Sequence, residues 1–315
     1  MELRPLGRSG LKVSALALGT MNFGYYWHGI GAIDEKTARC LVDLALERGV
    51  NLFDTADIYG YGVSEKLLGK ILKKRRAKVL IATKVLGQMR PGEPSSGGLS
   101  RKHVAEAIDE SLARLGTDYV DLYMPHGWDF QVPIDESLEA FERAVKAGKV
   151  RALGCSNFSG SQLQDALGRC AVKGWARPEF DQVQYSLAAR WIEGDLVDAC
   201  RASGVGVLAW STLGGGFLSA KYGGAKRPEG RRKDPSKAFP SLPEERLAGL
   251  VGVLKKVAGL EGLSPAATAL GWAISKPFVA SAVVGARTLA QLEDDLSARP
   301  LSARSLAFLD RASSI

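Results

Sequence analysis

Residues 79–125, VLIATKVLGQMRPGEPSSGGLSRKHVAEAIDESLARLGTDYVDLYMP, contain the pattern that decides the fold. The apolar runs at either end, Val79 to Thr83 and Val120 to Pro125, have the length and composition of buried strands. Between them, Ser100 precedes a segment whose apolar residues recur at helical spacing until Gly116. A strand, a helix and a second buried strand predict a βαβ unit with parallel strands.

The same alternation extends along the rest of the chain. Apolar runs bounded by polar or glycine residues recur, and amphipathic segments separate most of them. The eight candidate strands are Ala15–Gly19, Asn51–Asp54, Val79–Thr83, Val120–Pro125, Ala152–Cys155, Phe180–Gln184, Val205–Trp210 and Ala280–Val284. A length of 315 residues fits one domain or two, but no linker-like break interrupts the pattern. We therefore predict the α/β class, with residues 1–315 forming a single closed (β/α)8 TIM barrel.

Candidate helices and loops complete this barrel. Helices are expected after Asp34 and Ser100 and over the segments Ile134–Ala147, Ser159–Arg169, Ile192–Ser203, Pro243–Ala258 and Ser264–Ser275. Apolar residues on both sides of the Gly-Arg-Ser-Gly turn at 7–10 predict an N-terminal β-hairpin that covers one end of the barrel. The long connections 86–100 and 213–243 follow strand carboxyl ends, the face on which barrels carry active sites.

Composition excludes several classes of protein. The sequence contains neither a membrane-spanning run nor the apolar region of a signal peptide, so we expect a cytoplasmic protein without a membrane partner. The four cysteines lack CxxC pairing and are expected in the core. The net charge is +8, but the basic clusters at 73–78 and 226–237 lack the aromatic residues of a nucleic-acid site, so no nucleic-acid partner is expected.

Ionisable side chains follow three neighbouring candidate strands. Asp54, Lys84 and His126 stand at the ends of the second, third and fourth strands, and Tyr59 lies shortly after Asp54. Each alone fits a structural role. Together, a lysine cation lowers the pKa of the phenol, an aspartate keeps the lysine charged, and a histidine orients a carbonyl group. This set would protonate a carbonyl oxygen while hydride reaches the carbon.

These residues belong to a longer series of motifs that resembles the aldo-keto reductase family. The series comprises Asp54-Thr55-Ala56-Asp57-Ile58-Tyr59-Gly60, Ser64-Glu65, Leu68-Gly69, Thr83-Lys84, and Leu122-Tyr123 through His126. The resemblance covers nearly the whole chain. It implies that Tyr59 is the general acid, that Lys84 tunes it, that Asp54 supports Lys84, and that His126 positions the substrate carbonyl.

The resemblance also implies NADPH/NADP+ as cofactor, with NADH possible, bound without a Rossmann domain. Residues 204–209 fit GxGxxA, but they lead into a strand rather than opening a helix. The implied carboxamide ligands are Ser156, Asn157 and Gln182, and Trp210 stands where the family usually has a stacking tyrosine. The remaining implied cofactor residues are Gly19, Thr20, Met21, Asp54, Ser211, Thr212, Leu213, Gly214, Gly216, Lys221, Gly285, Arg287, Gln291, Asp294 and Asp295.

Structural alternatives stay open for several of these positions. Ser156-Asn157 also fits a helix N-cap, Trp210 fits a core residue, and Arg287 fits a surface arginine. Arg287 favours NADPH because it can pair with a 2′-phosphate. The family commonly has Glu-Asn where this chain has Asp294-Asp295, and the extra negative charge counts against that preference.

The substrate is expected to be a small carbonyl compound or sugar. Trp27, His126 and Trp128 are the candidate substrate residues, on loops rich in aromatic side chains. An NADPH-binding regulatory subunit of the potassium-channel β type, with negligible turnover, is the alternative function. No HxH or HExxH pattern occurs, so no metal is expected. The sequence leaves monomer and homo-oligomer open.

Overall fold

Parallel strands and surrounding helices form the architecture of the computed structural model, which describes residues 1–25, 32–221 and 244–314. The strands are β1 Leu3–Pro5, β2 Lys12–Ser14, β3 Leu16–Gly19, β4 Leu52–Asp54, β5 Leu80–Val85, β6 Val120–Pro125, β7 Val150–Leu153, β8 Cys155–Ser156, β9 Phe180–Gln184, β10 Gly206–Trp210 and β11 Val279–Val284. The helices are α1 Glu35–Glu47, α2 Val63–Leu72, α3 Arg101–Leu115, α4 Ile134–Lys146, α5 Gly160–Lys173, α6 Asp195–Ser203, α7 Glu244–Glu261, α8 Pro265–Ile274, α9 Leu289–Leu296 and α10 Ala303–Ser313.

The larger sheet closes into a (β/α)8 barrel. Its strand order is β7-β6-β5-β4-β3-β11-β10-β9-β8, and all the pairs in it are parallel. The two ends of this order, β7 and β8, are the halves of one strand separated by Gly154. The N–H of Gly154 donates to the carbonyl oxygen of Tyr123 at 3.0 Å. The predicted fold class is therefore confirmed.

The fifth strand differs from the expected run 152–155 because it begins at Val150 and is interrupted at Gly154. A Cβ at Gly154 would lie 2.2 Å from the Phe180 ring, so only glycine allows this ring to cross the strand. The interruption lets β7 pair with β6 while β8 pairs with β9. One strand thus closes the barrel by bonding to a different neighbour with each half.

The N-terminal hairpin of β1 and β2 covers the amino end of the barrel. Leu6 and Val13 are fully buried in the cluster that includes Leu52 and Phe180 from the barrel interior. The backbone N–H of Arg8 donates to Glu179 Oε2 at 3.0 Å, just before β9 begins. The hairpin therefore leaves the carboxyl ends of the strands accessible.

Helix boundaries follow the predicted caps in several places. The side chains of Asp34, Ser100 and Ser159 cap α1, α3 and α5, and Gly116 ends α3 at φ 64°. The segment expected as one helix over 192–203 instead begins as a 3-10 turn over Trp191–Glu193, and α6 follows Gly194. Helix α10 was not predicted from the sequence.

Other expectations concern the surface and the core. Cys155, Cys170 and Cys200 are buried as expected, whereas Cys40 is partly exposed. The basic cluster at 73–78 forms a 3-10 helix without a buried residue, and the cluster at 226–237 lies outside the described residues. Within the ranges described, no helix combines the length and apolar character needed to cross a membrane, and no group of side chains suits a metal ion.

Gly69 of the Leu68-Gly69 motif lies where α2 meets α3. A Cβ at this position would come within 2.3 Å of the Leu115 carbonyl oxygen. The clash involves backbone, so a side chain here forces the two helices apart. Because α2 follows directly on the loop that carries Tyr59, this contact also fixes the loop's far end.

We expect Gly69→Ala to lower the free energy of unfolding by about 1–3 kcal/mol, the usual range for overpacking. Gly168→Ala is the matched control, because Gly168 is an exposed residue within α5 and its added Cβ meets no atom within 4 Å. The control should raise stability by roughly 0.5–1 kcal/mol. Urea unfolding measures both, and equal effects of the two substitutions would refute the proposed close contact.

Candidate active site

Lys84 lies at the centre of the site, on β5, and its side chain is fully buried. Its Nζ donates to both carboxylate oxygens of Asp54, at 2.8 and 2.9 Å, and to the carbonyl oxygen of Thr55 at 2.7 Å. A longer bond of 3.4 Å reaches the Tyr59 hydroxyl oxygen. Burial alone would lower the pKa of Lys84, but the negative charge of Asp54 and the hydrogen bonds to Asp54 and Tyr59 outweigh it and raise the pKa. The lysine is therefore a cation at neutral pH.

Tyr59 presents its phenol between Lys84 and His126. The loop after β4 places it there, and its N–H donates to the carbonyl oxygen of Ala56 at 3.2 Å. The Lys84 Nζ lies 5.0 Å from the centre of the Tyr59 ring. The His126 ring lies edge-on to it at 5.7 Å. A cation this close stabilises negative charge on the phenol oxygen.

His126 is a neutral imidazole in this setting. It directly follows β6, and its N–H donates to the carbonyl oxygen of Val85 at 2.9 Å. Burial, followed by the positive charge of Lys84, lowers the pKa of His126 to about 3. The ring can therefore exchange hydrogen bonds with a polar substrate group near neutral pH without carrying a charge.

The Ser64-Glu65 motif ties α2 to the strands behind the site. Ser64 Oγ donates to the carbonyl oxygen of Thr20 at 2.8 Å and lies 3.0 Å from Thr55 Oγ1. Glu65 is fully buried and accepts from Thr83 Oγ1 and from Arg114 Nε, each at 2.6 Å. Since Thr83 precedes Lys84, this network fixes the end of β5 on which the lysine stands.

A cavity of about 780 Å³ opens from this site across the carboxyl ends of the strands. Its lining includes Asp54, Tyr59 and His126, with Lys84 behind them. The structure brings to it every predicted cofactor residue except Thr20 and Gly214. Thr20 is buried, and its Oγ1 donates to the carbonyl oxygen of Asp54 at 3.0 Å. The lining residues that were not predicted are Asn22, Ile58, Gly215, Ser219, Ala266, Val283 and Val284.

Sequence signals existed for some of these additional residues. Val283 and Val284 end the predicted last strand, so their position at the carboxyl face could have indicated them. Asn22 is a polar residue shortly after the first strand of the barrel. Ala266 belongs to α8 and reaches the cavity only through tertiary packing, for which the sequence carries no signal.

The predicted carboxamide residues form one hydrogen-bonded chain. Gln182 Nε2 donates to Asp54 Oδ1 at 2.7 Å, and Ser156 Oγ donates to the Gln182 carbonyl oxygen at 2.8 Å. Asn157 Oδ1 accepts from Trp210 Nε1 at 2.9 Å, and its Nδ2 donates to the His126 carbonyl oxygen at 3.1 Å. These bonds link the carboxyl ends of β6, β8, β9 and β10 to Asp54.

Two of the structural alternatives are removed by this geometry. Ser159, rather than Ser156 or Asn157, caps α5 and forms a capping box with Gln162. Trp210 is only half-buried and lines the cavity, so it is not a core tryptophan. The cofactor roles of these residues stay predictions.

Charged residues gather at the far end of the cavity. Lys221 and Arg287 both line it, and the pKa of Lys221 is lowered by burial and by the charge of Arg287. Asp294 accepts from Ser264 Oγ at 2.7 Å. Burial and the neighbouring Asp294 raise the pKa of Asp295 to about 7. Gln291 Oε1 accepts from the Arg287 N–H at 2.9 Å, which fixes the loop before α9.

The expected substrate residues are distributed differently. His126 lines the cavity, as predicted. Trp128 does not, because its ring packs edge-on against Phe158 with 5.1 Å between the ring centres. Trp27 lies outside the described residues. The roles of Trp27 and Trp128 in substrate binding stay predictions.

Comparison with known proteins agrees with this geometry. The family model described as the aldo/keto reductase family matches residues 15–314. The uncharacterised oxidoreductase YrpG of Bacillus subtilis (strain 168) is 38% identical, over 96% of this chain and 92% of its own length. A putative voltage-gated potassium channel subunit beta of Schizosaccharomyces pombe is 36% identical, over 95% and 88%. L-glyceraldehyde 3-phosphate reductase of Escherichia coli (strain K12) is 31% identical, over 99% and 92%.

The low pKa of His126 makes a prediction about acid stability. Its folded pKa of about 3 lies below the usual histidine pKa of 6.5, so between these pH values the unfolded chain binds a proton that the folded chain does not. This contribution to stability is fully present above pH 6.5 and is lost as the pH falls towards 3. We expect His126→Gln to show a smaller loss of unfolding free energy over this window, measured by urea unfolding at successive pH values. Parallel curves for the two proteins would contradict the assignment.

Proposed function

The chain belongs to the aldo/keto reductase family of oxidoreductases, and we propose that it reduces an aldehyde or ketone with NADPH, with NADH as the alternative cofactor. The reverse reaction oxidises a secondary alcohol or a sugar hydroxyl. The observation that carries this proposal is the convergence of Tyr59, Lys84, Asp54 and His126 at the inner end of the cavity. These groups can deliver a proton to a carbonyl oxygen.

The cavity is suited to a dinucleotide. Its volume of about 780 Å³ lies within the range of ligand sites. Residues 214–216 are three consecutive glycines with positive φ, and a backbone of this kind presents N–H groups to phosphate. Lys221 and Arg287 supply positive charge beyond them. When bound, the reduced dinucleotide supplies the hydride for the carbonyl carbon.

The proton comes from Tyr59 in this proposal. Lys84 lies 3.4 Å from the phenol oxygen and stabilises the negative charge left on it when the proton leaves. Asp54 holds Lys84 in place and keeps it protonated. Neutral His126 donates a hydrogen bond to the substrate carbonyl oxygen and orients it towards Tyr59. In the oxidative direction the phenolate of Tyr59 accepts the proton from the alcohol.

The preference for NADPH follows from the charges at the outer end of the cavity. The positive charges of Lys221 and Arg287 repel each other. Together with burial, this repulsion lowers the pKa of Lys221. A 2′-phosphate between them would relieve this repulsion. Negative charge on Asp294 and Asp295 would disfavour binding of a 2′-phosphate. The pKa of Asp295 is about 7, however, so this carboxyl group is partly protonated at neutral pH.

We also infer that residues 1–315 fold as one domain that contains the whole site. One hydrophobic cluster extends from Leu16 in β3 to Leu309 in α10 and includes residues of nearly every helix in the described part. A division into two domains would separate side chains that share this core.

A regulatory subunit is the second candidate function. The Schizosaccharomyces pombe relative is named a putative voltage-gated potassium channel subunit beta, and a 32% identical relative from Arabidopsis thaliana is named a probable one. A protein of this kind would bind NADPH and turn over negligibly. The two functions differ in steady-state turnover, so a panel of aldehydes, ketones and sugars distinguishes them.

Tyr59→Phe provides the test of the proposed chemistry. We expect kcat for carbonyl-dependent NADPH oxidation to fall by roughly 10²–10⁴-fold, the usual contribution of a positioned acid. The ring remains, so NADPH affinity measured by fluorescence titration should stay close to that of the wild type. A variant that retains full turnover would refute the role of Tyr59, whereas a wild type that binds NADPH without turnover would favour the regulatory function.

Arg287→Ala tests the cofactor preference. We expect a higher Kd for NADPH by about 10-fold or more, the size of a lost charge-assisted hydrogen bond, with little change for NADH. Arg304→Ala is a suitable control because Arg304 is an exposed residue of α10 outside the cavity lining. Equal losses for both cofactors would show that Arg287 supports the loop rather than the 2′-phosphate.

A further inference from the structure

A buried polar atom on the cavity wall lacks a hydrogen-bond partner. Asn22 follows β3, lines the cavity, and is only 4% exposed. Its Nδ2 donates to the carbonyl oxygen of Ala286 at 2.8 Å. Because a carbonyl oxygen only accepts, this bond identifies which end of the amide is the nitrogen. Oδ1, on the other branch, is buried and unpaired among the residues that the structure describes.

Backbone hydrogen bonds hold Asn22 and its neighbour Phe23 in place. The N–H of Ile33 donates to the Asn22 carbonyl oxygen at 2.9 Å. The N–H of Phe23 donates to the Thr20 carbonyl oxygen, also at 2.9 Å. Asn22 therefore stands in a turn tied at several points, and its side chain is tied to the loop after β11. An unpaired acceptor that is shielded from water disfavours folding, so an unpaired atom in such a fixed position requires an explanation.

A second unpaired oxygen lies on the other side of β11. Ser211 directly follows β10, lines the cavity, and has a buried Oγ that lacks a partner within the described ranges. In the barrel β11 lies between β10 and β3. Gly285 follows β11, and a Cβ built there meets no atom within 4 Å. Two unpaired side-chain oxygens thus flank an open space above the end of β11.

The chemistry of Oδ1 restricts what can fill this space. The amide oxygen accepts hydrogen bonds, and an ionised phosphate oxygen does the same, so a phosphate is excluded as its partner. A hydroxyl group can donate to Asn22 and also exchange a hydrogen bond with Ser211. A dinucleotide carries ribose hydroxyls next to its phosphates. The carboxamide N–H also donates, but its predicted partners, Ser156 and Gln182, stand on β8 and β9, away from β3.

We propose that Asn22 is a cofactor-binding residue whose Oδ1 accepts a hydrogen bond from a ribose hydroxyl of the dinucleotide. This inference rests on the proposed function, because it takes the cavity to be the NAD(P)H site. Through Nδ2 the same side chain holds Ala286, so ligand binding at Oδ1 and the position of the loop with Gly285 and Arg287 are coupled.

The test compares two asparagine variants. Asn22→Leu keeps the size of the side chain and removes its polar atoms. Asn51→Leu is the matched control, because Asn51 Oδ1 accepts from the Ser14 N–H at 2.7 Å and its Nδ2 donates to the Lys12 carbonyl oxygen at 2.9 Å. These partners belong to the hairpin at the amino end, away from the cavity. Calorimetric titration of each full-length protein with NADPH gives Kd, and thermal unfolding shows whether each variant folds.

We expect Asn22→Leu to raise the Kd for NADPH by roughly 10-fold, as for a lost hydrogen bond to a neutral group. Asn51→Leu should lower the melting temperature and leave Kd unchanged. An Asn22→Leu protein that folds and binds NADPH as tightly as the wild type overturns the inference and leaves the proposed function intact. A wild type that binds neither NADPH nor NADH overturns both.

Deoxy analogues of NADPH provide a measurement that does not depend on the variant folding. One analogue lacks the hydroxyls of the nicotinamide ribose, and the other lacks the 3′-hydroxyl of the adenosine ribose. The wild type should bind one of them about 10-fold more weakly than NADPH, and that loss should disappear in Asn22→Leu. The affected analogue identifies the ribose. Equal binding of NADPH and both analogues by the wild type overturns the inference.

Discussion

The buried ion pair between Lys84 and Asp54 is the interaction on which the rest of the site depends. Moving one such ion from water into a medium of low polarity costs of order 20 kcal/mol in an idealised treatment, so a buried lysine stays charged only with close partners. Here Nζ has both carboxylate oxygens, the Thr55 carbonyl oxygen and the Tyr59 hydroxyl within reach. Gln182 Nε2 also donates to this carboxylate, at 2.7 Å. These contacts fix the Lys84 ammonium group beside the Tyr59 phenol.

Strand pairing in the barrel places this ion pair at the carboxyl face. Asp54 ends β4 and Lys84 stands near the end of β5, and the parallel pairing of these strands brings the two side chains together. The hairpin fills the amino end with Leu6 and Val13, so the interior there is apolar. The Lys84–Asp54 pair, the neutral imidazole and the large cavity thus lie together at this end of the barrel, where a ligand can enter the cavity.

Local patterns were sufficient to predict the strands of the barrel, most of its helices and the four side chains at its mouth. Apolar runs, capping residues and strand-end positions are properties of short segments, and the sequence displays them directly. The interruption at Gly154 depends on the Phe180 ring, and the orientation of Asn22 depends on a carbonyl 264 residues away. Contacts of this kind depend on the folded chain, so no local pattern indicated them. The same holds for Trp128, whose ring packs on Phe158 rather than reaching the cavity.

Trp210 stands where the family usually has a tyrosine, and its indole N–H needs a hydrogen-bond acceptor that Asn157 provides. A half-buried indole N–H can only donate and therefore needs an acceptor, whereas the hydroxyl of a tyrosine can either donate or accept. Asn157 supplies that acceptor at 2.9 Å, with its backbone at φ 59°, a conformation that asparagine tolerates better than most residues. Because Oδ1 is occupied by the indole and Nδ2 by the His126 carbonyl oxygen, Asn157 has little capacity left for a ligand. In the proposed NAD(P)H site, recognition of the carboxamide would therefore fall mainly to Ser156 and Gln182, while Asn157 holds the Trp210 ring.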